Sequence, residues 1–263
     1  MSPAGAPGAF ELRPFGTGFG AEVLGVPAPD QLRRADVEDL RDALLDHRVL
    51  VLRGARLAPD AHARLARLFG AAVPGPGGSS PRWVAAGSTG TALPKILTFR
   101  TVAPSGHRVQ FADAVRGYRL LPVPLRALAD RSWAVHHVDE DADGPDGVAH
   151  PVTRLHPETG DRALLLGDGA RRILGMTTPE SRTVLDLLQS YVLRPDNIVT
   201  WAPTDGDAVV ADARAVQHRT GPVAERGACG VVRIDVAGDA PLGVDGQHSR
   251  PLNRWGWAER SSA

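Results

Sequence analysis

Two polar residues in the last quarter of the chain have types and positions that could do chemistry. Arg233 lies in the apolar run 231–234, where a buried guanidinium needs a carboxylate partner on a ligand or on an internal aspartate. A guanidinium holds a carboxylate through two parallel hydrogen bonds. His218 lies fifteen residues earlier, and an imidazole near its reference pKa of about 6.5 can transfer protons at neutral pH. Its alternative role is structural, with a hydrogen bond to Asp212 or to a backbone group.

Composition limits the class of protein. The chain has 263 residues, 43% hydrophobic and 23% charged, which predicts one globular domain. Basic and acidic residues number 30 each, so there is no electrostatic reason to expect nucleic acid or a membrane surface as partner. The single cysteine, Cys229, excludes an intrachain disulfide and a cysteine-cluster zinc site. The first residues do not resemble a signal peptide and no apolar run could span a membrane, so we expect a cytoplasmic protein.

The sequence predicts four helices and many short strands. The helices are expected over residues 35–47, from Pro59 to a stop at Gly70, over residues 124–130, and from an N-cap at Thr178. The predicted strands are residues 10–14, 21–24, 48–52, 96–102, 132–138, 148–155, 163–166, 197–201, 208–211 and 230–236. This pattern predicts a jelly roll rather than a parallel α/β sheet. We expect one domain over residues 1–263, with a flexible lid or partly disordered loop over 71–92 and an irregular tail over 239–263.

Three blocks of the sequence resemble a known family. The blocks are residues 18–53, residues 150–166 with their His-Pro-Glu-Thr-Gly turn, and residues 212–218. Their order and spacing are similar to those of the TauD/TfdA family of Fe(II)- and 2-oxoglutarate-dependent dioxygenases. The resemblance implies a mainly β fold with flanking helices, a double-stranded β-helix of the clavaminate-synthase-like type.

The resemblance also implies a set of site residues. In this family two histidines and one carboxylate hold iron, and the opposite positions stay open for 2-oxoglutarate and oxygen. His218 matches the second histidine, and Arg233 matches the arginine that binds 2-oxoglutarate. The other predicted pocket residues are Trp83, Val84, Ala86, Val109 and Arg214.

The first histidine and the carboxylate of the family come from a His-x-Asp pair, which commonly follows a tryptophan. Here the matching stretch is Trp83-Val84-Ala85-Ala86, so Val84 and Ala86 stand where the two ligands belong. Val109 stands where the family has the threonine that binds 2-oxoglutarate. Alkyl side chains cannot ligate a cation, and one imidazole cannot hold iron(II) against water.

The main functional prediction is therefore a repurposed enzyme without metal or cofactor. It would perform a non-redox reaction on a small carboxylate-bearing metabolite of specialised metabolism, with His218, Arg233 and Asp212 as catalytic residues.

Two alternatives stay open. A displaced iron site could consist of His137, Asp139 and His218, because residues 137–139 are literally His-x-Asp, and the protein would then use Fe(II) and 2-oxoglutarate. Alternatively, the protein could be a non-catalytic ligand-binding or partner-binding member, for example with a biosynthetic partner protein. Trp255 and Trp257 could belong to a homo-oligomer contact.

Overall fold

The computed structural model describes residues 10–16, 18–74, 84–85, 91–101, 108–136, 147–220 and 231–252. Its strands are β1 (Glu11–Pro14), β2 (Ala21–Leu24), β3 (Val49–Leu52), β4 (Ala72–Pro74), β5 (Ile96–Thr101), β6 (Val109–Asp113), β7 (Trp133–His136), β8 (Gly147–Pro151), β9 (Thr153–Leu155), β10 (Arg162–Leu164), β11 (Ala170–Ile173), β12 (Ile198–Trp201), β13 (Ala208–Asp212), β14 (Val216–Thr220), β15 (Val231–Val236), β16 (Leu242–Gly243) and β17 (Arg250–Leu252). Its helices are α1 (Arg34–His47), α2 (Pro59–Phe69), α3 (Ala114–Leu120), α4 (Val123–Arg131) and α5 (Thr178–Val192), with a 3₁₀ turn at Pro195–Asn197.

The strands form a jelly roll, which confirms the predicted fold class. Seven of them make the main sheet in the order β1-β2-β3-β13-β5-β15-β4. Within it β2 and β3 run parallel, and the other neighbours are antiparallel. Three smaller sheets, β12-β6-β14, β11-β7-β8-β17 and β10-β9-β16, complete the fold. Within the described ranges, no helix is both long and apolar enough to cross a membrane.

The main sheet is covered on both faces. Val49 and Val51 of β3 pack into the inner core, with side chains from the β12-β6-β14 sheet. Leu50 and Leu52 of the same strand pack into the outer core, with α1 and α2. Successive side chains of a strand point to opposite faces, so a strand buried on both sides has an uninterrupted apolar sequence. This explains the apolar run that predicted β3.

The structure differs from the sequence prediction in several places. It adds β6, β11, β14 and α3, and it contains strands in the segments predicted as a lid and as an irregular tail, namely β4, β16 and β17. It also begins α5 differently, because Thr177 rather than Thr178 caps the helix. Thr177 forms a reciprocal capping box with Glu180, three residues later. The sequence analysis did not predict β14, because the sequence of this strand, Val-Gln-His-Arg-Thr, is mostly polar.

The contact between α3 and α5 requires a glycine. A Cβ atom on Gly117 would lie 2.8 Å from Cγ2 and 3.0 Å from Cα of the buried Val192. We expect Gly117→Ala to lower the free energy of unfolding by about 1–3 kcal/mol through overpacking, although alanine favours a helix over glycine by about 1 kcal/mol. Urea unfolding measures this change. Gly16→Ala is the control, since its Cβ would meet nothing within 4 Å, and a Gly117→Ala protein as stable as the control would contradict the prediction.

Candidate functional site

His218 lies on β14, with its side chain inside the barrel. Its register partner on β6 is Phe111. The imidazole faces Phe99 of the main sheet, with 5.8 Å between the ring centroids, and only 4% of the residue is exposed. An apolar wall therefore surrounds the imidazole on this side and excludes water from it.

Arg233 lies on β15, opposite Phe99 on β5. Its Nη1 is 3.1 Å from Nε2 of His218, so the two residues fifteen positions apart in sequence are in contact. The rest of the guanidinium binds Asp235. Nε donates to Oδ1 at 2.5 Å and Nη2 donates to Oδ2 at 2.8 Å. The carboxylate partner that a buried arginine needs is thus an internal aspartate.

The His218 imidazole is neutral. Burial, together with the positive charge of Arg233, lowers the pKa of His218 to about 3. A guanidinium can only donate, so Nε2 accepts from Arg233 and the ring proton is on Nδ1. Nδ1 is buried and has no hydrogen-bond partner among the residues that the structure describes. The imidazole therefore lacks the ordinary pKa on which the predicted proton-transfer role depended.

Val84 is the backbone neighbour of His218. Its N–H donates to the His218 carbonyl at 2.8 Å, and the His218 N–H donates to the Val84 carbonyl at 3.0 Å. Val84 also forms an antiparallel bridge with Gly167. Side chains at directly paired positions are close neighbours, so the residue matched to the first iron ligand of the family does lie beside the second, as an alkyl group.

The described residues alone do not fit an iron centre. Iron(II) in such sites is bound by imidazole nitrogens and carboxylate oxygens. Within the described ranges, no three His, Cys, Asp or Glu side chains are close enough to share a metal ion. The neighbours of His218 supply an alkyl group, a phenyl ring and a guanidinium, none of which donates an electron pair to a cation.

Asp212 and Arg214 form a separate cluster in the turn between β13 and β14. Asp212 accepts hydrogen bonds from Arg214 Nη2 at 2.7 Å and from His156 Nε2 at 3.0 Å rather than binding His218. Burial disfavours its ionised form, but these hydrogen bonds hold the pKa of Asp212 well below its usual range. Arg214 also binds Glu158. The structure therefore places neither residue beside His218.

The other predicted site residues divide into two groups. Val109 is buried in the inner core, in the cluster that includes Phe99 and Phe111. Trp83, Ala86, His137 and Asp139 lie outside the described residues.

Asp235 was missed as a named residue of the site. The signal was present in the sequence, because Arg233 and Asp235 are two positions apart in an extended run and must point to the same face of the strand. An arginine and an aspartate on one face of a buried strand predict an internal ion pair.

Known proteins resemble this chain both in fold and in sequence. A crystal structure of a taurine dioxygenase from Burkholderia xenovorans superposes with a TM-score of 0.81 at 26% identity, covering 93% of this chain and 95% of that one. An alpha-ketoglutarate-dependent sulfate ester dioxygenase from Pseudomonas putida is 34% identical over 95% of this chain and 98% of its own length. An alkylsulfatase from Acinetobacter baylyi is 30% identical, over 79% of this chain and 78% of its own length.

The barrel is thus the double-stranded β-helix of TauD-type dioxygenases. The family model for "Taurine catabolism dioxygenase TauD, TfdA family" matches residues 11–84 and 91–231, and the chain belongs to that family.

The relatives overturn two predictions from the sequence. The metal-independent, non-redox catalyst is contradicted, because a relative that is 34% identical over most of the chain is named as an alpha-ketoglutarate-dependent dioxygenase. The expectation that no cofactor is needed is wrong for the same reason. Alkyl side chains at positions 84 and 86 exclude those two residues as iron ligands, but they do not exclude ligands from elsewhere in the chain.

The neutrality of His218 can be tested by NMR titration of histidine-labelled protein. We expect its imidazole to stay unprotonated with the proton on Nδ1 between about pH 5 and pH 8. In the double variant Arg233→Met/Asp235→Asn the pKa of His218 should rise, because a nearby positive charge is removed, and burial should keep it below about 6.5. Arg219→Met on the same strand is the control and should leave this pKa unchanged.

The lowered pKa of His218 also makes the free energy of unfolding depend on pH. The folded pKa lies below the unfolded value of about 6.5, so the unfolded chain binds more protons between the two values. The stabilisation is complete above about pH 6.5 and is lost toward pH 3, by up to about 1.4 kcal/mol per pH unit. Protonation of His218 in the wild-type protein above about pH 6 would contradict this description.

Proposed function

We propose that the chain is a 2-oxoglutarate-dependent dioxygenase that oxidises a small molecule. The proposal is carried by one observation, the 34% identity to an alpha-ketoglutarate-dependent sulfate ester dioxygenase across 95% of the chain. Iron(II), when bound, would supply the activation of oxygen. The chain itself supplies an apolar, water-excluding wall and a buried guanidinium inside the barrel.

The iron ligands we propose are His137, Asp139 and His218. Residues 137–139 are the literal His-x-Asp of this sequence, and they follow β7 directly. The last residue of β7, His136, pairs with Ala170 of β11. Three positions before Ala170 is Gly167, which bridges to Val84, the backbone partner of His218. The described chain thus connects the residue just before the His-x-Asp, through β11 and Gly167, to the backbone partner of His218, which supports the displaced set.

Arg233 is our candidate for binding a carboxylate of 2-oxoglutarate. A buried guanidinium is suited to this because it holds two carboxylate oxygens at once. Asp235 already occupies two of its nitrogens, so the cosubstrate would compete with an internal carboxylate. The affinity for 2-oxoglutarate should therefore be reduced by the free energy of separating Arg233 from Asp235.

The substrate we propose is a small organic molecule with an anionic group, with sulfate esters as the first class to test. The names of the two relatives support this choice, since one is a sulfate ester dioxygenase and the other an alkylsulfatase.

Metal content and turnover test the proposal together. Protein purified without oxygen and supplied with ferrous salt should hold roughly one iron per chain, and with oxygen and hexyl sulfate it should convert 2-oxoglutarate to succinate and carbon dioxide. Asp139→Ala and His218→Ala should each lose the iron. Asp141→Ala, which removes a carboxylate two residues further on, should retain it. A wild-type protein that neither binds iron nor consumes 2-oxoglutarate would refute the proposal.

The competition at Arg233 gives a separate prediction. Asp235→Asn keeps the shape of the side chain and removes its charge, so Arg233 becomes available to a ligand carboxylate. We expect the affinity for 2-oxoglutarate to rise by roughly tenfold, or about 1.4 kcal/mol, measured by calorimetry without oxygen. Asp161→Asn, a partly exposed ion-pair carboxylate outside the barrel, is the control. Unchanged or weaker binding in Asp235→Asn would show that Arg233 does not hold the cosubstrate.

A further inference from the structure

A cleft lies on the outer side of the main sheet, beside the turn that precedes β14. It has a volume of about 220 Å³ and lies between α1, the end of α2 and the start of β5. Its lining residues Leu44, Phe69 and Ile96 belong to the outer core, whereas His218 contacts Phe99 of the inner core, and neither His218 nor Arg233 lines the cleft. The cleft is therefore a separate site from the interior pair of His218 and Arg233.

The rim of this cleft carries two cations, and no carboxylate in the described part of the chain forms an ion pair with either. Lys95, the only lysine in the sequence, lines the cleft and is half-buried. Among the described residues, no carboxylate lies within ion-pair distance of its ammonium group. Arg41 lines the cleft too, and its one side-chain hydrogen bond within those residues is to the backbone carbonyl of Leu68. Both cations are thus available to a ligand.

The position of Lys95 is fixed by the backbone on both sides. Its N–H donates to the carbonyl of Val236 at 3.0 Å, and its carbonyl accepts from the N–H of Ala213 at 3.0 Å. Its Nζ extends over Gly70, where an added Cβ would come within 3.0 Å of it. The absence of a side chain at Gly70 thus leaves room for the ammonium group at the cleft.

The floor of the cleft is apolar. Leu44 is 2% exposed, Phe69 is 4% exposed, and Ile96 lies beside them. The cleft is also lined by Glu158, which is about half exposed and paired with Arg214. A second negative charge on a ligand would therefore meet repulsion there, whereas an alkyl chain would lie on the floor.

We propose that this cleft binds a small organic monoanion, with its carboxylate or sulfate group on Lys95 and Arg41 and a short alkyl chain on Leu44 and Phe69. Unpaired cations above an apolar floor bind an amphiphilic anion better than either a simple salt or a neutral chain. The volume is sufficient, since a cavity of about 150 Å³ accommodates benzene. This inference does not depend on the proposed oxygenase activity.

The single lysine makes the site directly observable. Reductive methylation with ¹³C-formaldehyde keeps the positive charge of Lys95 and gives it one NMR resonance, distinct from that of the terminal amine. Hexanoate should shift this resonance with saturation. At equal concentration, acetate and 1-hexanol should shift it far less, because each lacks one half of the ligand. A Lys95 resonance that hexanoate does not move would overturn the proposal.

Variants establish which groups hold the anion. Lys95→Met and Arg41→Met keep the alkyl stems and remove the charges, and each should weaken hexanoate binding at least roughly tenfold in calorimetry. Arg34→Met, also on α1 but paired with Glu38 and largely exposed, should bind as the wild type does. Arg41 is exposed on its helix, so that variant remains informative even if Lys95→Met unfolds. Full hexanoate binding in both variants would place the anion elsewhere, for example at Arg233, and refute this site.

Discussion

A guanidinium buried inside a barrel must be neutralised, and this requirement organises the interior of the protein. Arg233 meets it with Asp235, two residues away on its own strand. The nitrogen left over from that pair donates to His218. Removing Asp235 would leave the guanidinium, whose side chain is only 12% exposed, without its carboxylate partner and would destabilise the fold. His218, Arg233 and Asp235 therefore form one unit, and a ligand that binds any of the three must exchange partners with it.

The double burial of the main sheet makes this arrangement rigid. β5 lies between β13 and β15 and contributes Phe99 to the inner core beside His218. On the outer face, α1 and α2 cover the same strands. Side chains that pack on both faces cannot shift register, because a slip by one residue would turn every inner residue outward. The distance between His218 and Arg233 is therefore fixed by the sheet rather than by the two side chains alone.

The sequence predicted the helices and strands that can be recognised from the residue types at neighbouring positions. The helices α1, α2 and α5 and the strand β3 could be found from apolar spacing and proline positions. β14 could not, because its polar side chains are stabilised by partners far along the chain, such as Gln110 for Arg219.

The site shows the same division between local and distant information. The family resemblance assigned His218 and Arg233 to the same site, and in the structure the two side chains are in contact. Asp212 was grouped with them because it is close in sequence, but the turn between β13 and β14 directs it to His156 instead. The pKa of His218 was beyond prediction, since it depends on burial and on a cation from another strand.

The contacts among His218, Arg233 and Asp235 also couple ligand binding at Arg233 to ligand binding at His218. The lone pair on Nε2, which a metal ligand must offer, is engaged by Arg233. A ligand carboxylate that draws Arg233 away would release that lone pair and remove a nearby positive charge from the imidazole. By thermodynamic reciprocity, a cation on His218 would then favour the same carboxylate to the same extent. If the barrel binds an anion at Arg233 and a cation at His218, as we propose, the two binding events should be cooperative, because both require the same guanidinium to leave its present partners.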